Sequence, residues 1–220
     1  MKLHHLLFLS AFALFFGSCK SATSAGDSTT IQQLFPMLVG NVWTYNDLQY
    51  DQSGAVTGED TTQLHITGKR NFAGNDAFFL AILGPGGPDS GLIYYAGSDL
   101  FSVSSLNQQV PRSQRVLRYP MAAGETLIMH DTTYADTSRS ERVLVFRGAG
   151  ESVTVPAGTF SCYHFDNISI YGKPSSFDTT SKEMLYFAPN IGYILDEYYS
   201  RSGGTFYRGS RTELKSYKLK

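Results

Sequence analysis

From residue 34 to residue 218 the chain is cut into short runs by turn-forming residues, and the runs between the cuts are rich in β-branched and aromatic side chains. In the first half these runs are Val42-Trp43-Thr44-Tyr45, Ala77–Leu83, Leu92–Tyr95 and Asp99–Val103. In the second they are Val143–Phe146, Ser152–Val155, Phe160–Ile170, Met184–Phe187 and Tyr193–Tyr199, with one or two closing strands in Thr205–Lys218. Branched and ring side chains suit a pleated, half-buried surface. Gly84-Pro85-Gly86-Gly87-Pro88 makes a loop that no helix crosses, and Pro156-Ala157-Gly158 and Pro189-Asn190-Ile191-Gly192 read as hairpin turns. Helix is expected only as a short turn within Thr30–Leu38. Strands joined by short turns lie side by side, so the predicted fold class is all-β. It is an antiparallel meander of about ten to twelve strands, forming a curled half-barrel or a two-layer sandwich.

The same unit reads twice. Phe35-Pro36-Met37-Leu38-Val39-Gly40 is matched 84 residues later by Tyr119-Pro120-Met121-Ala122-Ala123-Gly124, and Ala73-Gly74 by Ala157-Gly158 at the same offset. Tyr94-Tyr95-Ala96 is matched 92 residues on by Tyr186-Phe187-Ala188, and a longer polar loop over Gly172–Lys182 accommodates the difference. The expected organisation is therefore a first β repeat over 34–118 and a second over 119–220, built into one compact domain. The doublets Phe78-Phe79, Tyr94-Tyr95, Tyr186-Phe187 and Tyr198-Tyr199 place one ring on each face of a sheet. Trp43, Tyr94 and Tyr186 are the rings expected to line a cavity, if the sheet encloses one.

Ahead of the β-rich part, Lys2 is followed by the 11-residue apolar run Leu6–Phe16, short of the roughly 20 residues a membrane-spanning helix needs. The run ends in Phe16-Gly17-Ser18-Cys19, which resembles the lipobox of bacterial lipoproteins, with Phe16 where Leu is usual. The resemblance implies that residues 1–18 are a signal peptide and that Cys19 is the lipid-modified first residue of the mature chain. Two or more acyl chains anchor a protein stably where one does not. Residues 19–33 then form the lipidated Cys and a flexible tether with a reach on the order of 20 Å. Lys20 is not the acidic residue that retains lipoproteins in the inner membrane, which points to the outer membrane.

Few residues suggest chemistry. With Cys19 lipidated, Cys162 is left alone in an apolar-flanked strand and reads as a buried structural thiol. His65, His130 and His164 lack the spacing of a zinc pair. His164 and Asp166 share a strand face and are the one acid/base pair on which a hydrolase could be built. His130 and Asp131 are adjacent and diverge. The three Asp-Thr-Thr triplets at Asp60, Asp131 and Asp178 read as turn-capping residues. No phosphate-binding loop or nucleophile elbow is present, and no catalytic residue, metal or cofactor is expected. A net charge of −1 argues against a nucleic-acid partner.

The segment Val153-Thr154-Val155-Pro156-Ala157-Gly158-Thr159-Phe160, with Tyr186-Phe187-Ala188-Pro189-Asn190-Ile191-Gly192-Tyr193 after it, resembles a group of uncharacterised envelope β-proteins common among the lipoproteins of Bacteroidetes-type bacteria. The likeness spans about 34–218 and is strongest over 118–218. It implies a fold and no chemistry. A looser likeness is to periplasmic lipoprotein carriers, half-barrels that hold acyl chains. The expected function is that of a non-enzymatic, membrane-tethered envelope lipoprotein that binds an apolar ligand, a glycan or an envelope protein. A hydrolase using His164 and Asp166, and a purely structural envelope component, are the alternatives.

Overall fold

The computed structural model describes residues 29–104, 112–173 and 176–220. The expected signal peptide over Met1–Ser18, Cys19 and the first part of the expected tether lie outside the described residues.

A single turn of helix, α1 (Ile31–Leu34), opens the described chain. Thr30 caps it through a capping box with Gln33, whose side chain accepts from the Thr30 N–H at 2.8 Å. Helix was expected within Thr30–Leu38, and only these four residues adopt it. Twelve strands follow. The first six are β1 (Val42–Tyr50), β2 (Val56–Phe72), β3 (Asn75–Gly84), β4 (Gly87–Ala96), β5 (Asp99–Ser104) and β6 (Arg112–Arg118). The second six are β7 (Thr126–Thr133), β8 (Arg139–Val155), β9 (Gly158–Gly172), β10 (Asp178–Ala188), β11 (Gly192–Ser202) and β12 (Thr205–Lys218). All pair antiparallel in one sheet of order β6-β5-β4-β3-β2-β1-β12-β11-β10-β9-β8-β7. The sheet curls into a nearly closed barrel, as the predicted all-β meander requires.

Two six-strand meanders thus meet where β1 pairs with β12. The outer strands β6 and β7 approach within 8 Å by Cα but are not ladder neighbours, so the barrel has a seam there. Each meander begins with the same three backbone bonds. Gly40 N–H donates to Ile66, Asn41 to Leu38, and Ile66 to Asn41. In the second, Gly124 N–H donates to Phe146, Glu125 to Ala122, and Phe146 to Glu125. Gly40 and Gly124 both sit at positive φ, +99° and +83°, where a side chain would strain the backbone.

Two details depart from the expected map. Gly84–Pro88 is no loop: Gly84 pairs with Gly87 across a two-residue turn, and β4 starts at once. Asp60-Thr61-Thr62 and Asp131-Thr132-Thr133 lie inside β2 and β7 instead of capping turns, and Asp178-Thr179-Thr180 starts β10.

Alternation along each strand sends one set of side chains into the barrel. Trp43, Tyr45, Ile66, Phe165, Leu144, Ile194 and Leu214 are almost wholly buried there. Phe35, just after α1, stacks on Trp43 at 5.6 Å between ring centroids, and Asn190 N–H donates to Gln33 O, so the helical turn plugs one end. The doublets split as expected in the first half. Phe78 and Tyr95 pack on the main core, whereas Phe79 and Tyr94 join a smaller outer cluster with Ala77, Leu92 and Val103.

Candidate functional site

The barrel keeps a cavity of about 430 Å³. Its lower part is apolar, lined by Phe35, Leu80, Ile93, Leu100, Met129, Leu185 and Phe187. Its upper part is polar, with Ser102, Gln114, Arg142, Asn167, Glu183 and Asp196. Strand geometry explains the division. Inward residues recur every second position, and four strands change character in one step. Leu100 is followed by Ser102 on β5, Leu144 preceded by Arg142 on β8, Phe165 followed by Asn167 on β9, and Leu185 preceded by Glu183 on β10. On β10 the order Phe187, Leu185, Glu183 runs from ring to carboxylate.

The polar end is not self-satisfied. Asn167 and Glu183 are cross-strand partners, and Asn167 Nδ2 donates to Glu183 Oε2 at 2.7 Å. Yet Asn167 Oδ1, Asp196 Oδ1 and Arg142 Nε are buried without a hydrogen-bond partner among the described residues. Arg142 has no carboxylate within 4.0 Å among the described residues, unlike the other arginines of this wall: Arg115 pairs with Asp99 and Arg139 with Asp131 and Glu141. Burial, then the neighbouring charge and hydrogen bond of Glu183, push the Asp196 carboxyl up to about 8. Burial also raises the Tyr193 hydroxyl well above its ordinary range.

A second chamber of about 510 Å³ adjoins the first at the seam. Ser113 and Gln114 of β6, His130 of β7, Ser140, Glu141 and Arg142 of β8 and Ser169 of β9 line it. Gln114 and Arg142 border both spaces.

None of the three rings singled out from the sequence borders the main cavity. Trp43 is wholly buried below it, its Nε1–H donating to Ile191 O at 2.7 Å. Tyr94 sits on the outer face, stacked on Phe101 at 5.2 Å. Tyr186 stacks on His164 at 4.4 Å. Each of these three rings is spent on packing against a neighbouring ring, whereas Phe35, Phe187 and Tyr193 reach the cavity.

His164 and Asp166 do share a face, opposite to the one carrying Phe165 and Asn167. His164 Nε2 lies 3.1 Å from Asp166 Oδ1, and its Nδ1 lies 3.0 Å from Glu151 Oε2. Arg147 donates to Asp166 at 2.5 Å and Lys182 lies 3.3 Å away. Burial raises the Asp166 carboxyl, but the hydrogen bonds from His164 and Arg147 and the Lys182 charge overcome it and hold it at about 2. Both ring nitrogens are occupied, and the carboxylates sit at opposite edges of the ring, so they cannot meet on one ion. Among the described residues no three His, Cys, Asp or Glu side chains converge as a metal site. Cys162 is buried, and burial followed by the Glu151 charge pushes its thiol up to about 12.

Residues 135–212 match the DUF3108-like family, a domain of unknown function. That stretch contains the Val153–Phe160 turn on which the resemblance to Bacteroidetes envelope proteins rests. Two crystal structures share the fold. One is a predicted lipoprotein from Parabacteroides distasonis, 18% identical, aligned over 87% of this chain and 100% of its own with a TM-score of 0.53. The other is a predicted exported protein with a YmcC-like fold from Bacteroides fragilis, 16% identical, aligned over 84% and 98% with a TM-score of 0.53. Among curated proteins no match is found.

Proposed function

We propose that the chain is a non-enzymatic module of the bacterial envelope that holds an amphiphilic ligand inside its barrel. One observation carries the reading: three buried polar atoms, on Arg142, Asn167 and Asp196, lack a hydrogen-bond partner among the described residues and gather at the polar end of one cavity. A buried polar atom left unpaired costs roughly 1–3 kcal/mol. Three in one place are a cost that a purely structural barrel would shed by using apolar side chains, whereas a binding site keeps them for its ligand. Water fills the polar end when the site is empty, and a ligand's polar group displaces it. The volume lies in the lower part of the roughly 300–1,000 Å³ typical of small-molecule sites. Anchoring through acyl chains on Cys19, at the outer membrane, places such a module within reach of amphiphiles. His164 and Asp166 serve the outer wall in this reading, and no hydrolytic step is assigned to them.

The test is a blocked cavity. An uncharged fluorescent alkyl probe binds the full chain and is excluded from Leu185→Trp, whose added ring fills the apolar end. Equal binding by the two proteins, both folded, removes the cavity from the account.

A further inference from the structure

The geometry points to an anionic end group on that ligand: we propose that the seam chamber between β6 and β7 receives the carboxylate or phosphate head of a single-chain amphiphile, with Arg142 as its counter-ion. The inference rests on the binding reading above and adds the chemistry of the head.

Arg142 borders both the apolar cavity and the seam chamber, so its guanidinium stands at the boundary an amphiphile's head and tail would straddle. It is half-buried, with no carboxylate within 4.0 Å among the described residues and with a buried Nε that donates to nothing. A guanidinium cannot lose its charge in a protein, and its planar fork matches carboxylate and phosphate oxygens. An unpaired half-buried cation is costly, and an incoming anion removes that cost. The rest of the chamber is suited to an oxyanion. Ser113, Ser140 and Ser169 bring three hydroxyls that can donate, and Gln114 an amide. The one carboxylate there, Glu141, is engaged by Arg139 at 2.8 Å, which it shares with Asp131. The acids Glu183 and Asp196 stand on β10 and β11, two and three strands from Arg142 on β8, and neither pairs with it.

A cationic head would make the opposite choice, turning to Glu183 and Asp196 and leaving Arg142 unpaired and repelling it. Free phosphate could occupy the seam chamber without using the apolar cavity, so the source of the anion is part of the test.

The experiment uses the full chain with its anchor, held in nanodiscs of zwitterionic lipid, and short probes that stay in solution: octanoate, octyl phosphate, octanol, octylammonium and inorganic phosphate. Trp43 is the only tryptophan of the chain and stacks on Phe35, which lines the cavity, so its emission reports occupancy. The expected result is that octanoate and octyl phosphate bind at least about tenfold more tightly than octanol, the size of one charge-assisted contact. Arg142→Gln reduces that preference to about twofold or less. Ser113→Asp, at an exposed position of the chamber rim, weakens the two anionic probes more than octanol. Octanol and octylammonium binding as well as octanoate, or an Arg142→Gln protein that keeps the anion preference, overturns the inference and leaves the binding reading standing. Inorganic phosphate matching octyl phosphate overturns the amphiphile and assigns the chamber to a free anion. If no octyl probe alters Trp43 emission or is retained by the protein, the binding reading itself fails.

Discussion

Trp43 donates its indole N–H to the carbonyl of Ile191 at 2.7 Å, across 148 residues of sequence. The bond ties the first strand of one meander to the β10–β11 turn of the other, under the floor of the cavity. Gly192, next to Ile191, sits at φ +107°, and a Cβ there would lie 3.4 Å from the indole nitrogen. The turn and the ring are therefore fitted to each other. Trp43→Phe keeps most of the apolar contact but strands a buried carbonyl, and about 1–3 kcal/mol of stability is lost. Trp43→Ala empties the site and costs about 3–5 kcal/mol. Urea unfolding measures both; a Trp43→Phe protein as stable as the wild type shows that the bond ties nothing.

Two carboxyls set opposite pH dependences. Asp196 is raised from 3.8 to about 8, so the folded chain binds this proton more tightly than the unfolded one. Its stabilising share is complete below about pH 4 and is lost as pH rises to about 8. Asp166 is lowered from 3.8 to about 2, so its share is present above about pH 4 and is lost as pH falls towards 2. Stability from these two groups peaks in mildly acidic solution. Thermal unfolding from pH 2 to 9 shows the peak, and Asp196→Asn flattens the alkaline limb. Stability that climbs steadily from pH 5 to 8 contradicts the assignment.

Asp166 and His164 are structural in this account. Asp166→Ala removes a wholly buried carboxylate from three cationic or polar partners, of which Arg147 and Lys182 are partly exposed and screened. The expected loss is about 1–3 kcal/mol, below the 3–5 of a fully buried pair. Ligand affinity changes less than about twofold, because the pair faces away from the cavity. A folded double variant, Asp166→Ala with His164→Ala, that no longer binds ligand would place the array in the site.

Cys162 should be inert. Its thiol is buried and held protonated, and thiolate is the reactive form. Iodoacetamide modifies it only after denaturant is added. Modification of the native chain within minutes at pH 8 would show that the β9 wall opens.

Much of the framework was legible in the chain because Gly, Pro and Asn punctuate it. The hairpin turns at Pro156-Ala157 and Pro189-Asn190 and the aromatic strands between them follow from local chemistry. β2 and β7 were not singled out, since Val56–Phe72 and Thr126–Thr133 mix polar and apolar residues and carry little aromatic signal. The cavity was not legible either. Trp43, Tyr94 and Tyr186 pack elsewhere, and the polar end of the lining comes from lone polar residues in the inward phase of otherwise apolar strands. Asn167 two residues after Phe165 and Glu183 two before Leu185 carried that signal. Following the period-2 phase of each strand past its aromatic run finds both. Arg142, two before Leu144, falls in the same phase, but its lack of a partner depends on where Glu141, Arg139 and Asp131 lie in the folded wall.

An amphiphile held inside the barrel stays with the protein through purification. Native mass spectrometry of the full chain, purified from its own host, tests it most directly against Leu185→Trp prepared in the same way. The account predicts a non-covalent adduct of amphiphile mass on the wild type that is missing from the blocked variant. No adduct on the wild type, or the same adduct on both, contradicts it.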